Sequence, residues 1–83
     1  MKGIETTGAS KSLEGFVSPF DSTTVSRLKN HGAIVMGSVN MDEFGMGSYG
    51  LYGKGGTFVR NPINEEHVAA GSSSGSACTV KAY

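Results

Sequence analysis

Between Asp21 and Asn30 the apolar positions are spaced for a helix, with Val25 and Leu28 on one face and Arg27 and Lys29 on others. Asp21 or Ser22 stands ready as the N-cap, and His31-Gly32 supplies a cationic or glycine stop, so a helix is predicted to about Asn30. Ala33-Ile34-Val35-Met36 follows as a continuous apolar run bounded by glycines, which suits a buried strand of a parallel or mixed sheet. Helix, short turn and buried strand together predict an α/β chain. Upstream, Met1 to Phe20 is polar and broken by Gly3, Gly8, Gly15 and Pro19, which predicts a loop with one short helical turn over Lys11 to Glu14. Downstream, Asn40 to Phe44 predicts a second turn capped by Asn40, with Asp42 and Glu43 outward near a helix N-terminus and Met41 and Phe44 inward. Gly45 to Gly56 is glycine-rich and interleaved with Tyr49, Leu51 and Tyr52, a loop able to approach a ligand closely.

Composition limits what such a chain can bury. With 83 residues, 37% of them hydrophobic and no Trp, it forms at most one small domain with a thin core. Folding without a metal, a disulfide or a partner is therefore expected to be marginal. A single cysteine excludes an intrachain disulfide. Seven basic and seven acidic residues cancel and are dispersed, so no basic stripe interleaved with aromatics offers itself to nucleic acid. No run approaches the ~18 apolar residues of a membrane-spanning helix. The N-terminus carries neither an apolar signal region nor an Arg-rich presequence, and the chain reads as soluble.

Candidate chemistry concentrates at Ala70-Gly71-Ser72-Ser73-Ser74-Gly75-Ser76-Ala77. Three adjacent hydroxyls on a glycine-freed backbone suit either a flexible linker or a serine-based catalytic turn. A linker continues in polar, helix-poor residues, whereas Ala77-Cys78-Thr79-Val80-Lys81-Ala82 is helix-compatible, as though the serines cap and open a helix. That context favours the catalytic reading. Other candidates weigh less. Cys78 reads as a small packed residue, since no base is recognisable near it, and His31 and His67 lack a second ligand at metal-binding spacing. Gly45-Met46-Gly47-Ser48-Tyr49-Gly50 fits G-x-G-x-x-G, with Glu65 or Glu66 further on, but it neither follows a strand directly nor opens a helix. Gly53-Lys54 lacks the first glycine and the Ser or Thr of a phosphate loop.

The order of segments carries a resemblance. Lys2 to Thr7, Ala9-Ser10-Lys11, Glu14-Gly15-Phe16, Ser18 to Thr23, Asn40-Met41-Asp42-Glu43-Phe44, Met46-Gly47-Ser48, Arg60-Asn61-Pro62 and the serine run together resemble the amidase signature family over nearly the whole chain. The Asn40 to Ser48 block with Arg60-Asn61-Pro62 is typical of one branch, the A subunits of glutamyl-tRNA(Gln) amidotransferases. The resemblance implies a mixed sheet flanked by helices and a relay of lysine, cis-serine and nucleophilic serine. Ser72 takes the place of the cis-serine, which shuttles a proton, with Gly71, Ser73 and Ser76 supporting the turn; no metal site is implied.

On this alignment residues 1–83 are a partial amidase domain. They lack the Lys-Asp-Asn segment upstream and the Asp-Thr-Gly-Gly-Ser nucleophile segment downstream. The implied parent activity is hydrolysis of glutamine, with ammonia passed to a partner subunit that amidates glutamyl-tRNA(Gln) using ATP and magnesium, a ligase step of protein biosynthesis. This chain itself is expected to bind no cofactor, to touch tRNA mainly through another subunit and to avoid membranes. Two alternatives stay open: a catalytically inactive truncated product, and a fragment of a stand-alone amidase acting on small or fatty amides. Ala70 and Ser74 stand where the motif commonly has glycine, so a side chain at 74 is expected to resist the turn's backbone shape. Ser38 and Val39 replace a common Lys and Thr, which points to a divergent mitochondrial-matrix form rather than a bacterial cytoplasmic one.

Overall fold

A computed structural model describes all residues, Met1–Tyr83. Helix α1 spans Thr23–Asn30. The Ser22 hydroxyl accepts the Val25 N–H at 3.3 Å, and so satisfies one of the donors left free at a helix start. His31 closes the helix and Gly32, at φ +85°, reverses the chain in the left-handed region that glycine enters at little cost. Asp21 sits just outside the cap, where its carboxylate accepts the Lys2 N–H at 2.7 Å and the Lys29 ammonium at 2.9 Å. The Lys2 N–H, and after it Lys29, hold this carboxyl below its ordinary range.

The N-terminal segment is more than the loop its composition suggests. A 3₁₀ turn over Lys11–Leu13, capped by Ser10, is flanked by two runs that meet as a short antiparallel pair. Thr6 N–H donates to the Phe16 carbonyl at 2.8 Å, Gly3 N–H to Ser18 at 2.9 Å and Ser18 N–H to Ile4 at 3.3 Å. Glu5 locks the loop end by accepting the Gly15 N–H at 2.9 Å and Lys54 Nζ at 3.2 Å, so the glycine-rich loop is tied to the N-terminus. These partners, the Gly15 N–H foremost, hold the Glu5 carboxyl below its usual value.

The strand expected over Ala33-Ile34-Val35-Met36 is not formed. Those residues carry no ladder, and Ile34 and Met36 are 83% and 93% exposed. A strand exists only through hydrogen bonds to a neighbour, and the chain's bridges, Glu5 with Val17 and Arg60 with Val68, are isolated ones elsewhere. The second helix, α2, spans Ser74–Ala82 at the C-terminal side. Between the helices the chain is a mesh of loops, flattened to extents of 39 × 30 × 16 Å.

What lies at the centre of that mesh is polar. Seven residues are buried: Ser10, Ser18, Asp42, Ser74 and the glycines at 50, 53 and 75. No large apolar side chain is among them, so the thin core expected from composition is here no apolar core at all. Backbone contacts replace it. Gly75 N–H donates to the Asn40 carbonyl at 3.1 Å and Gly53 N–H to Thr57 at 3.2 Å, and a methyl on either glycine would overlap backbone atoms.

Candidate functional site

The Asn40 to Phe44 segment differs from its expected form, and the difference builds the site. Its helical turn is a 3₁₀ turn over Glu43–Gly45 entered from Asp42, and Asn40 does not cap it. The Asn40 side-chain oxygen accepts the neighbouring Met41 N–H at 3.0 Å instead. Glu43 is exposed as expected, but Asp42 points inward with no accessible surface. Its Oδ2 accepts the Gly50 N–H and its Oδ1 the Tyr52 N–H, each at 3.0 Å. A buried carboxylate is tolerable only with such donors. Phe44 does not turn inward: at φ +52° it swings its half-exposed ring onto Gly8, and its N–H donates to the Gly8 carbonyl at 2.7 Å.

The serine run meets this segment from the other side. The peptide bond between Gly71 and Ser72 is cis, at the position the resemblance assigns to the cis-serine. The Ser72 carbonyl accepts the Asp42 N–H at 3.0 Å. Ser72 is half-buried, and its hydroxyl makes no hydrogen bond to any other of the 83 residues. A methyl built on Gly45 would lie 4.0 Å from Ser72 Oγ and 3.4 Å from Met41 Cε, so glycine keeps the wall beside the hydroxyl low. Gly71 is pressed against the Asp42 carboxylate, and a Cβ there would overlap Oδ2 and approach Gly50 N at 2.9 Å.

The supporting serines fall differently from expectation. Helix α2 opens at Ser74, two residues before Ser76, which is exposed in the first turn. Ser73 is the N-cap by position, yet its side chain makes no capping bond; only its carbonyl takes part, accepting the Ala77 N–H at 3.2 Å. Backbone resistance sits at Ala70, φ +59°, and not at Ser74, which is helical. Ser74 instead packs on Gly50, where an added methyl would come within 2.7 Å of Ser74 Cβ, and its buried hydroxyl has no partner. Replacing Ser74 by Ala is expected to stabilise the full-length native protein by about 1 kcal/mol, because it removes an unpaired buried hydroxyl. Thermal melts of the two proteins check this, and a lower midpoint for the alanine variant refutes it.

The remaining candidates stay apart. Cys78 is half-buried with its thiol 3.4 Å from the Arg60 carbonyl, and His31 and His67 are exposed. Gly45 to Gly50 wraps the Asp42 carboxylate and opens no helix; Lys54 is engaged by Glu5. No three His, Cys, Asp or Glu side chains converge as a metal-ligand set. The chain thus gathers Asp42, Gly45, Gly50, Gly71 and Ser72, a turn that presents one free hydroxyl. Asp42 is the member that sequence reasoning missed. The signal was the run of glycines that follows it, whose bare N–H groups reach a buried acceptor.

A cis-serine turn opening a helix, braced by a glycine-rich loop, is the arrangement expected of an amidase, and the chain belongs to the Amidase family, which it matches over residues 1–82. Within that family it is similar to the A subunit of glutamyl-tRNA(Gln) amidotransferase. It is 55% identical over 80 residues to the protein of that name from Symbiobacterium thermophilum, covering 96% of this chain and 16% of the relative. The Geobacter metallireducens protein of the same name is 52% identical over 81 residues, covering 98% of this chain and 16% of its own length. Among solved structures, the crystal structure of the glutamyl-tRNA(Gln) amidotransferase A subunit from Thermotoga maritima superposes with a TM-score of 0.89 at 44% identity, covering 99% of this chain and 18% of that one. The chain therefore has the backbone of part of that amidase fold and spans under a fifth of the length of these relatives. The three organisms are bacteria, and the mitochondrial expectation drawn from Ser38 and Val39 has no support in them.

Proposed function

We propose that this chain is part of the glutamine-hydrolysing subunit of a tRNA-dependent amidotransferase, the ligase that converts Glu-tRNA(Gln) to Gln-tRNA(Gln) for protein synthesis. One observation carries the reading: the Ser72 hydroxyl sits half-buried on the cis turn that leads into α2, with no hydrogen bond to occupy it. In the relay, a lysine accepts a proton from Ser72 as Ser72 accepts one from the nucleophilic serine, which attacks the glutamine amide carbon. The same path returns a proton to the departing ammonia, and water then releases glutamate. No lysine or serine of this chain aligns with the other two members, so they come from segments outside these 83 residues, as do the donors that hold the oxyanion. The ammonia passes to a partner subunit, where ATP and magnesium activate the glutamyl ester. The same partner grips the tRNA, in keeping with the dispersed charge of this chain. A bacterial cytoplasmic setting fits this role. In the whole fold, Ala33–Met36 completes its hydrogen bonds as a strand of the mixed sheet.

The test is an assay of the full-length native protein with glutamine and with simple amides, alone and with its partner subunits. Glutamine hydrolysis is expected to rise at least about tenfold on assembly, with simple amides cleaved slowly throughout. Fast cleavage of simple amides by the lone protein, unaffected by partners, overturns the amidotransferase assignment.

A further inference from the structure

We propose that Asp42 is the positioning residue of the Ser72 turn, a role that rests on the reading of Ser72 as the proton relay. Three separate stretches converge on this one residue. Its carboxylate accepts the Gly50 and Tyr52 N–H groups, eight and ten residues further along, and so draws the glycine-rich loop around itself. Its own N–H donates to the Ser72 carbonyl at 3.0 Å, and its Oδ2 lies against Gly71, where a Cβ has no room. The two sides of the Gly71–Ser72 peptide are thus held by one residue, by contact at Gly71 and by a hydrogen bond at Ser72. The grip is two-sided at Asp42 as well, since a methyl on Gly47 would come within 2.5 Å of its carboxyl carbon. The Ser72 hydroxyl has no hydrogen bond within the chain to orient it, so its direction follows from the backbone that Asp42 holds.

This geometry distinguishes a carboxylate from its amide. Both Asp42 oxygens accept backbone N–H groups, whereas asparagine offers one acceptor and turns an NH2 towards the other N–H. Asp42→Asn therefore keeps the volume and loses half of the clamp. Either Gly50 or Tyr52 is released, and the carboxamide no longer seats against Gly71 as the carboxylate does.

The experiment compares Asp42→Asn with wild type in the full-length native protein, assembled with its partners, by two independent readouts. Glutamine turnover is expected to fall about 30- to 300-fold in kcat with KM within about twofold, the pattern of a misdirected proton relay. Hydrogen exchange followed by mass spectrometry is expected to quicken at least about tenfold over residues 69–76 and 49–53, while α1 keeps its wild-type rates. A merely structural role lowers the melting point without this split. Unchanged exchange over 69–76, or a kcat within about threefold of wild type in a folded variant, overturns the proposal. Where the variant does not fold, the wild-type protein decides: a denaturant series of exchange must show 49–53 and 69–76 opening together, and separate opening refutes the shared anchor. If wild type lacks glutaminase activity, the functional reading fails while exchange still judges the clamp.

Discussion

Expressed alone, the 83 residues are expected to melt without a cooperative transition and to bind a hydrophobic dye strongly at room temperature. Folding offsets the conformational entropy of every ordered residue, roughly 1–2 kcal/mol each, chiefly by taking apolar surface out of water. This chain takes almost none out. Phe20, Leu28, Ile34, Met36, Met46, Ile63 and Val80 are each more than half exposed, and the buried positions are serines, an aspartate and glycines. Its thinnest extent is 16 Å, less than the roughly 20 Å that two packed layers of structure occupy. The surface ion pairs of Glu5 with Lys54 and Arg60 with Glu65 are too solvated to replace a core. Scanning calorimetry checks the expectation. A sharp heat-absorption peak with matching loss of helix signal would show that the polar mesh suffices, and would sink the claim.

Replacing Ser72 by Ala in the full-length native protein, assembled with its partners, is expected to lower kcat for glutamine hydrolysis about 10²- to 10⁴-fold with KM within about twofold. The substitution removes one oxygen and keeps Cβ, so the packing beside Gly45 and Met41 survives. The lost hydroxyl bonds to nothing else in the chain, and the carbonyl that accepts the Asp42 N–H is untouched. The effect therefore falls on proton movement and not on stability. Ser73→Ala is the matched control. That side chain is exposed and caps nothing, so turnover is expected to stay within about threefold of wild type. Wild-type turnover in Ser72→Ala would remove Ser72 from the mechanism.

Both expectations trace back to how unevenly the fold was written in the sequence. Helix α1 was legible to the residue, because its cap, apolar spacing and glycine stop act within one turn of the positions they govern. The turn at Lys11–Leu13 was legible for the same reason. The antiparallel pairing of Glu5 with Val17 was not, since it joins segments whose polar, glycine-broken composition carries no strand alternation. Ala33–Met36 shows the converse. Its apolar run marks a residue set that wants burial, but a run of this kind specifies no partner.

The candidate site divides along the same line. The sequence by itself determined the amidase lineage, the serine run and the place of Ser72, because a rare ordering of small residues and hydroxyls around one turn is a property of the chain in one dimension. Only the tertiary structure decided that Asp42 is buried, that Ala70 and not Ser74 takes the left-handed backbone, and that α2 begins at Ser74. The physical reason is what these features bond to. Asp42 is held by the N–H groups of Gly50 and Tyr52 and donates to the carbonyl of Ser72, and backbone amides are common to nearly every residue. Their positions in space exist only once the loops have closed.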